Sequence, residues 1–213
     1  MRFTLYSAAL LLSNIASAAI PINGMYSTIF GGYAYLPNNV NTTTSSGNVF
    51  SGTGYHPGFD AGGSLGYKST PMRYEGELTY IQSNLNSFNV NGLPQTGANG
   101  YSNATLAMAN VFYDFNNIMP AIQPFLGGGI GYGWVHANFD STGPLGPNQY
   151  SGANSVFAYQ ASTGLTFNFT ENYALNLGYR YIATTKPDQL GKPFQANLAN
   201  LGAIYRFDVA RYK

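Results

Sequence analysis

Residues 73–80 read Arg-Tyr-Glu-Gly-Glu-Leu-Thr-Tyr, and the alternation in this octapeptide decides the fold. Tyr74, Gly76, Leu78 and Tyr80 share one parity, while Arg73, Glu75, Glu77 and Thr79 share the other. Successive side chains of a β-strand point to opposite faces, so the two sets separate into an aromatic-aliphatic face and a charged one.

The same alternation recurs on either side. Tyr173, Leu175, Leu177, Tyr179 and Tyr181 oppose Ala174, Asn176, Gly178 and Arg180, and Phe157, Tyr159, Ala161, Thr163, Leu165, Phe167 and Phe169 oppose Ala158, Gln160, Ser162, Gly164, Thr166 and Asn168. Extended along the chain, the pattern predicts eight strands over 25–36, 59–68, 72–82, 101–115, 122–139, 155–169, 173–183 and 195–207. The connections alternate in length. Residues 37–58, 83–100, 140–154 and 184–194 are long and rich in Asn, Gly, Ser, Thr and Pro, whereas 69–71, 116–121 and 170–172 are short. Long loops at one end and short turns at the other are the pattern of an outer-membrane barrel, and eight strands return both termini to the short-turn, periplasmic end.

Asp60, Lys68, Arg73, Glu75, Glu77, Asp114, Arg180 and Arg206 lie in these strands, all on the parity of the small and polar residues. The opposite register would put several of them in lipid, where an Arg or Lys at the midplane costs about 2–4 kcal/mol. Tyr35, Tyr67, Tyr80, Tyr113, Phe115, Trp134, Tyr173, Tyr181, Tyr205 and Phe207 lie outward toward strand ends, with Leu65, Leu78, Leu165 and Leu177 nearer the middle. That is how two interfacial aromatic girdles would be arranged. A soluble lipocalin-type barrel has the opposite polarity, apolar inside and polar outside. The expected fold is therefore all-β: an eight-stranded antiparallel transmembrane β-barrel, an up-and-down meander.

Composition agrees. Charged residues make up 8% of the 213 residues, against a usual share of about 25%, which is too few for an ordinary soluble surface. The net charge of +1 implies neither nucleic acid nor an acidic partner. With no cysteine, disulfides and thiolate metal sites are excluded. A positive start at Met1-Arg2, an apolar run over 3–12 and Ala16-Ser17-Ala18 have the order of a secretory signal peptide cleaved after Ala18. The expected organisation is a signal peptide over 1–18 and a barrel domain over 19–213.

An eight-stranded barrel has an interior that side chains just fill, so the inward charges are the first candidate site. Glu77 and Arg180 lie at comparable mid-heights on opposite walls. Lys68, Arg73, Glu75, Asp114 and Arg206 are expected to form a second cluster near the periplasmic end. Buried charges require partners, so a plug of ion pairs is expected, and a gate built from exchanging pairs is the functional alternative. Gly127, Gly129, Gly131 and Gly133 share the inward face and are expected to leave room for large side chains from opposite strands. The run lacks the G-x-G-x-x-G spacing of a phosphate cradle. His136 has outward parity. A lipid-hydrolysing site would need it beside a serine and a carboxylate, yet Asp140, assigned to the following loop, is the only nearby acid. Two histidines and no cysteine give no zinc set, so no cofactor or metal is expected. The N-x-S/T matches at Asn41, Asn103 and Asn168 have no meaning in a bacterial barrel. The four long loops remain, polar and nearly uncharged, on the kind of scaffold that commonly presents binding sites.

Gln123-Pro-Phe-Leu-Gly-Gly-Gly-Ile-Gly-Tyr132, Leu177-Gly-Tyr-Arg-Tyr181 and Leu201-Gly-Ala-Ile-Tyr-Arg-Phe207 resemble, in order and spacing, the corresponding strands of small OmpA-like and opacity-type outer membrane β-barrel domain proteins. The resemblance covers about 25–207. It implies residence in a Gram-negative outer membrane among phospholipid and lipopolysaccharide, delivery by the outer membrane assembly machinery, and a non-enzymatic role in envelope structure and surface contact or adhesion. A host or environmental ligand at the loops and a monomeric state are expected. A narrow gated pore is the alternative, and a lipid-modifying enzyme the third. Two features depart from the family pattern. Asp208-Val-Ala-Arg-Tyr-Lys213 follows Phe207, where such barrels usually end on an aromatic, and no peptidoglycan-binding domain follows.

Overall fold

The computed structural model describes residues 22–44, 48–90, 93–94, 96–116, 121–143, 146–186 and 193–207; the expected signal peptide lies outside them. The strands are β1 (Gly24–Tyr35), β2 (Asn39–Thr44), β3 (Asn48–Tyr55), β4 (Gly58–Ser69), β5 (Met72–Val90), β6 (Leu93–Pro94), β7 (Thr96–Asp114), β8 (Ile122–Gly143), β9 (Gly146–Asn168), β10 (Tyr173–Thr184) and β11 (Gln195–Arg206). Eight of them, β1, β4, β5, β7, β8, β9, β10 and β11, pair antiparallel in sequence order. The seam closes between β1 and β11, from Tyr26 opposite Arg206 to Tyr35 opposite Asn197. Closure removes the edges that an open sheet would expose within a bilayer.

Inside and outside divide as the alternation requires. Ile29, Leu65, Leu78, Ile130 and Leu177 face outward, with exposures from 50% to 71%, while Asp60, Lys68, Arg73, Glu77, Asp114, Arg180 and Arg206 are buried at 7% or less. This inversion of a soluble protein's polarity places the wall in hydrocarbon. Outward aromatics pack near the short-turn rim, where Tyr173 lies tilted against Tyr205, and Tyr205–Phe207 and Tyr113–Phe115 meet edge-on.

At the short-turn end the strands stop within about two residues of the expected positions. At the other end they run on. β5 and β7 have 19 residues each, β8 has 22 and β9 has 23, where a tilted transmembrane strand needs about 9–11. Residues 83–90, 96–100, 140–143 and 146–154, expected as loop, are strand. The reason is visible in Ile81, Ser83 and Leu85, which are buried while Asn84 and Asn86 are exposed: alternation continues past Gln82 in residues otherwise typical of turns. The first long connection also holds a hairpin, β2–β3, whose β3 pairs with the far end of β5. A sheet of β2, β3, β5, β7, β8 and β9 thus stands beyond the barrel on one side of its mouth.

The interior is layered. Toward the long-strand end it is apolar, with Leu36, Ile81, Leu106, Val135, Val156, Ile182, Phe194 and Leu198 all buried and Tyr55 of β3 packed against them. Polar and charged residues occupy the middle and the short-turn end. The polar, small-residue face expected along the whole lumen is therefore confined to part of it. Beyond this apolar plug, Leu85, Ala137 and Phe139 form a second apolar cluster, again against Tyr55, inside the projecting sheet.

Candidate functional site

The charged lumen is built from parity. The ionic side chains sit on inward positions of five strands, with Asp60 and Lys68 on β4, Arg73, Glu75 and Glu77 on β5, Asp114 on β7, Arg180 on β10 and Arg206 on β11. In the middle layer Arg180 of β10 reaches across the barrel. Its Nη1 donates to Glu77 Oε1 at 2.5 Å, its Nη2 to Asp60 Oδ2 at 3.2 Å and its Nε to Asn200 Oδ1 at 2.9 Å. The guanidinium also lies 4.5 Å above the Phe30 ring. Asn200 Nδ2 donates to Asp60 Oδ2, Thr79 Oγ1 to Glu77 Oε1, and Asn110 Nδ2 to Glu77 Oε2 at 2.8 Å. Gln160 Nε2 joins Asn110 Oδ1 at 2.6 Å. Charge-assisted bonds of this kind compensate the desolvation of buried ions, which one contact alone would not.

The second layer lies next to the short turns. Asp114 accepts from Lys68 Nζ at 2.5 Å and from Arg73 Nε at 2.9 Å. Arg73 Nη1 reaches Glu75 Oε1 at 3.2 Å, and Tyr26 Oη donates to the same oxygen at 2.6 Å. The Arg73 guanidinium lies against both the Phe112 and the Phe125 ring, 4.8 and 5.2 Å from their centroids. Arg206 lines a small cavity together with Tyr26, Lys68, Arg73 and Asp114, but its hydrogen bonds go to Asn168 Oδ1 at 2.7 Å and to the Glu171 carbonyl at 3.3 Å, not to a carboxylate. Between the layers is a cavity of about 50 Å³, lined among others by Thr28, Ser162 and Asn176. It has room for a few waters.

Several members of this network were outside the expected set. Asp60 was expected to face inward but in neither cluster, and Asn110, Gln160 and Asn200 carry no charge. Tyr26, Phe30, Phe112 and Phe125 are inward aromatics on what is otherwise the charged face. The glycines of β8 serve a nearer neighbour than expected. A Cβ at Gly127, Gly129 or Gly131 would collide with Phe112, Asn110 or Met108, and those residues belong to the adjacent strand β7 rather than to an opposite wall.

His136 is exposed on the outward face of β8. Asp140, expected in a loop, is on the same face of the same strand. Four residues of strand separate their backbones by about 13 Å, too far for a hydrogen-bonded pair. Ser155 lies diagonally across on β9, opposite Trp134. Among the described residues no hydrogen bond joins His136's side chain to a serine or carboxylate, and no group of His, Asp or Glu is arranged to hold a metal.

The sequence profile of the outer membrane protein β-barrel domain matches residues 6–207. No curated protein matches significantly. Among solved structures, the chain is similar to neisserial surface protein A, with a TM-score of 0.54, 18% identity, and coverage of 86% of this chain and 97% of that one. It is also similar to the outer membrane protein OprG from Pseudomonas aeruginosa, with a TM-score of 0.57, 11% identity, and coverage of 89% and 100%. At such identities the likeness is one of fold.

Proposed function

The chain belongs to the outer membrane β-barrel domain family, and from that premise we propose that it is a non-enzymatic, monomeric surface protein that makes contacts through the sheet standing beyond its barrel. Residues 1–18 act as its signal peptide, cleaved after Ala18, and the termini and short turns face the periplasm. The observation that carries this reading is the excess length of β5, β7, β8 and β9. Strands of 19–23 residues reach well past any bilayer, which holds a rigid sheet clear of the membrane on a scaffold of the kind that commonly presents binding sites.

The sheet also offers open edges. Among the described residues β2 pairs only with β3, and β10 meets β9 only from Ala158 onward, which leaves the outer part of β9 without a strand on that side. Unpaired strand edges accept an added strand through backbone hydrogen bonds. Apart from Asp140, the outward side chains described in this region, including Tyr101, Asn138, Gln149 and Ser151, are uncharged. Recognition therefore relies on shape and hydrogen bonding, not on long-range electrostatic steering. The test is adhesion of a non-adherent bacterium expressing the full chain to immobilised host-cell matrix, against the same chain with 39–55 replaced by a short turn. Equal adhesion by both, with equal surface levels, would refute the reading.

The gated-pore alternative draws on the cavity between the charged layers. The apolar layer of Ile81, Leu106, Val135, Ile182 and Leu198 opposes it, because opening Glu77–Arg180 leaves that layer closed.

A further inference from the structure

The short-turn layer does not balance its own charge. Lys68, Arg73 and Arg206 bring three cations, and Asp114 and Glu75 bring two carboxylates; all but Glu75 are buried at 4% exposure or less. Glu171 contributes only its carbonyl, its side chain being exposed. The middle layer carries the opposite excess, with Asp60 and Glu77 against Arg180, but the rings of Phe112 and Phe125 and the central cavity lie between. An uncompensated charge held away from water is expensive, so a group of opposite sign is favoured beside it.

The place for such a group is present. Tyr26, Lys68, Arg73, Asp114, Thr166, Ile204 and Arg206 enclose a cavity of about 10 Å³, about the space of one water-sized sphere. Two polar atoms of its lining are buried without a partner, Arg73 Nη2 and Thr166 Oγ1. Both can donate, and Lys68 Nζ has hydrogens beyond the one given to Asp114. Donors with spare hydrogens, one surplus positive charge and a monatomic volume together specify the ligand's chemistry.

We propose that this cavity is a binding site for a small monovalent anion of chloride type, which completes the charge balance of the layer. The ion is contacted by Arg73, Lys68 and Thr166, with Arg206 supplying further positive potential, and it exchanges with the solution at the short-turn end. A cavity of this size favours a monatomic anion over a larger polyatomic one. Binding to the folded barrel alone makes stability rise with chloride concentration.

The experiment uses the full folded chain in detergent. Unfolding by urea is followed at constant ionic strength while chloride replaces gluconate, and crystals grown in bromide are measured at the bromine absorption edge. The expected results are a bromide peak within contact of Arg73 Nη2 and Thr166 Oγ1, and a midpoint that rises with chloride. Thr166→Val removes a donor, and Lys68→Met removes the surplus charge while leaving Asp114 paired with Arg73. Both variants should fold and lose the chloride dependence. No bromide peak, or equal midpoints in chloride and gluconate, overturns the site. A peak without any chloride effect on stability means an adventitious ion only and overturns it equally, as does a chloride effect that survives in both variants.

Discussion

Replacing Arg180 with Met is the most informative single perturbation of the lumen. The guanidinium is the only cation in contact with Asp60 and Glu77 among the described residues, at 3.2 and 2.5 Å, and its Nε also satisfies Asn200. Methionine fills similar volume and keeps contact with Phe30, but it leaves two buried carboxylates without a counter-charge. Breaking a buried pair in this way costs about 3–5 kcal/mol. With a urea slope of roughly 2 kcal/mol/M, the unfolding midpoint in phospholipid vesicles falls by about 2 M. Band mobility on unheated gels and the fluorescence of Trp134, the only tryptophan, report the transition. The companion variant carries Arg180→Met, Asp60→Asn and Glu77→Gln together. It removes all three charges, and most of the lost stability returns, because neutral amides retain hydrogen bonds without requiring an ion. A single variant within about 0.5 kcal/mol of the parent would refute the view that these charges are held dry and depend on one another.

Other perturbations test the remaining layers. In planar bilayers Arg180→Ala should show no more conductance than the parent, since the apolar plug still seals the mouth; frequent openings would revive the pore. Leu177→Arg, at an outward position 50% exposed, should cost about 2–4 kcal/mol if it lies near the bilayer midplane, and an unchanged urea midpoint would contradict the register. Gly129→Val should prevent a compact band from forming, because its Cβ collides with Asn110, whereas Gly76→Ala, whose Cβ meets nothing, should fold within about 1 kcal/mol of the parent. Ending the chain at Phe207 should leave outer-membrane assembly intact, since the seam with β1 runs to the Phe207 amide, bonded to the Met25 carbonyl; loss of assembly would assign a role to residues 208–213.

The barrel was legible in the sequence because lipid and lumen impose opposite demands on alternate residues. Arg73, Glu75 and Glu77 beside Tyr74, Leu78 and Tyr80 admit a single facing, and the short turns fall where that alternation lapses. The outer ends of the long strands were not legible. Asn84, Asn86 and Ser87 suit turns as well as solvent-exposed strand positions, and only the inward Ser83 and Leu85 betray the continuation. The apolar plug escaped notice because Leu106, Val135, Ile182 and Leu198 share parity with the charges at other heights, and height depends on stagger between strands. The same dependence hid the pairing of the β8 glycines with Phe112, Asn110 and Met108. Glu77 and Arg180 stood out by charge and comparable height, whereas joining Asp60 and Asn200 to them depends on the register of β4 and β11.

The proposed orientation sets the long strand ends outward from the cell and the short turns toward the periplasm. The chain has no cysteine, so single cysteines report topology cleanly. Asn86→Cys on the far part of β5 and Glu171→Cys in the β9–β10 turn are both exposed positions. With a membrane-impermeant maleimide on intact cells, the first should label fully, and the second only after the outer membrane is permeabilised. Labelling of Glu171→Cys in intact cells with Asn86→Cys protected would invert the molecule and contradict the proposal that its sheet meets the outside.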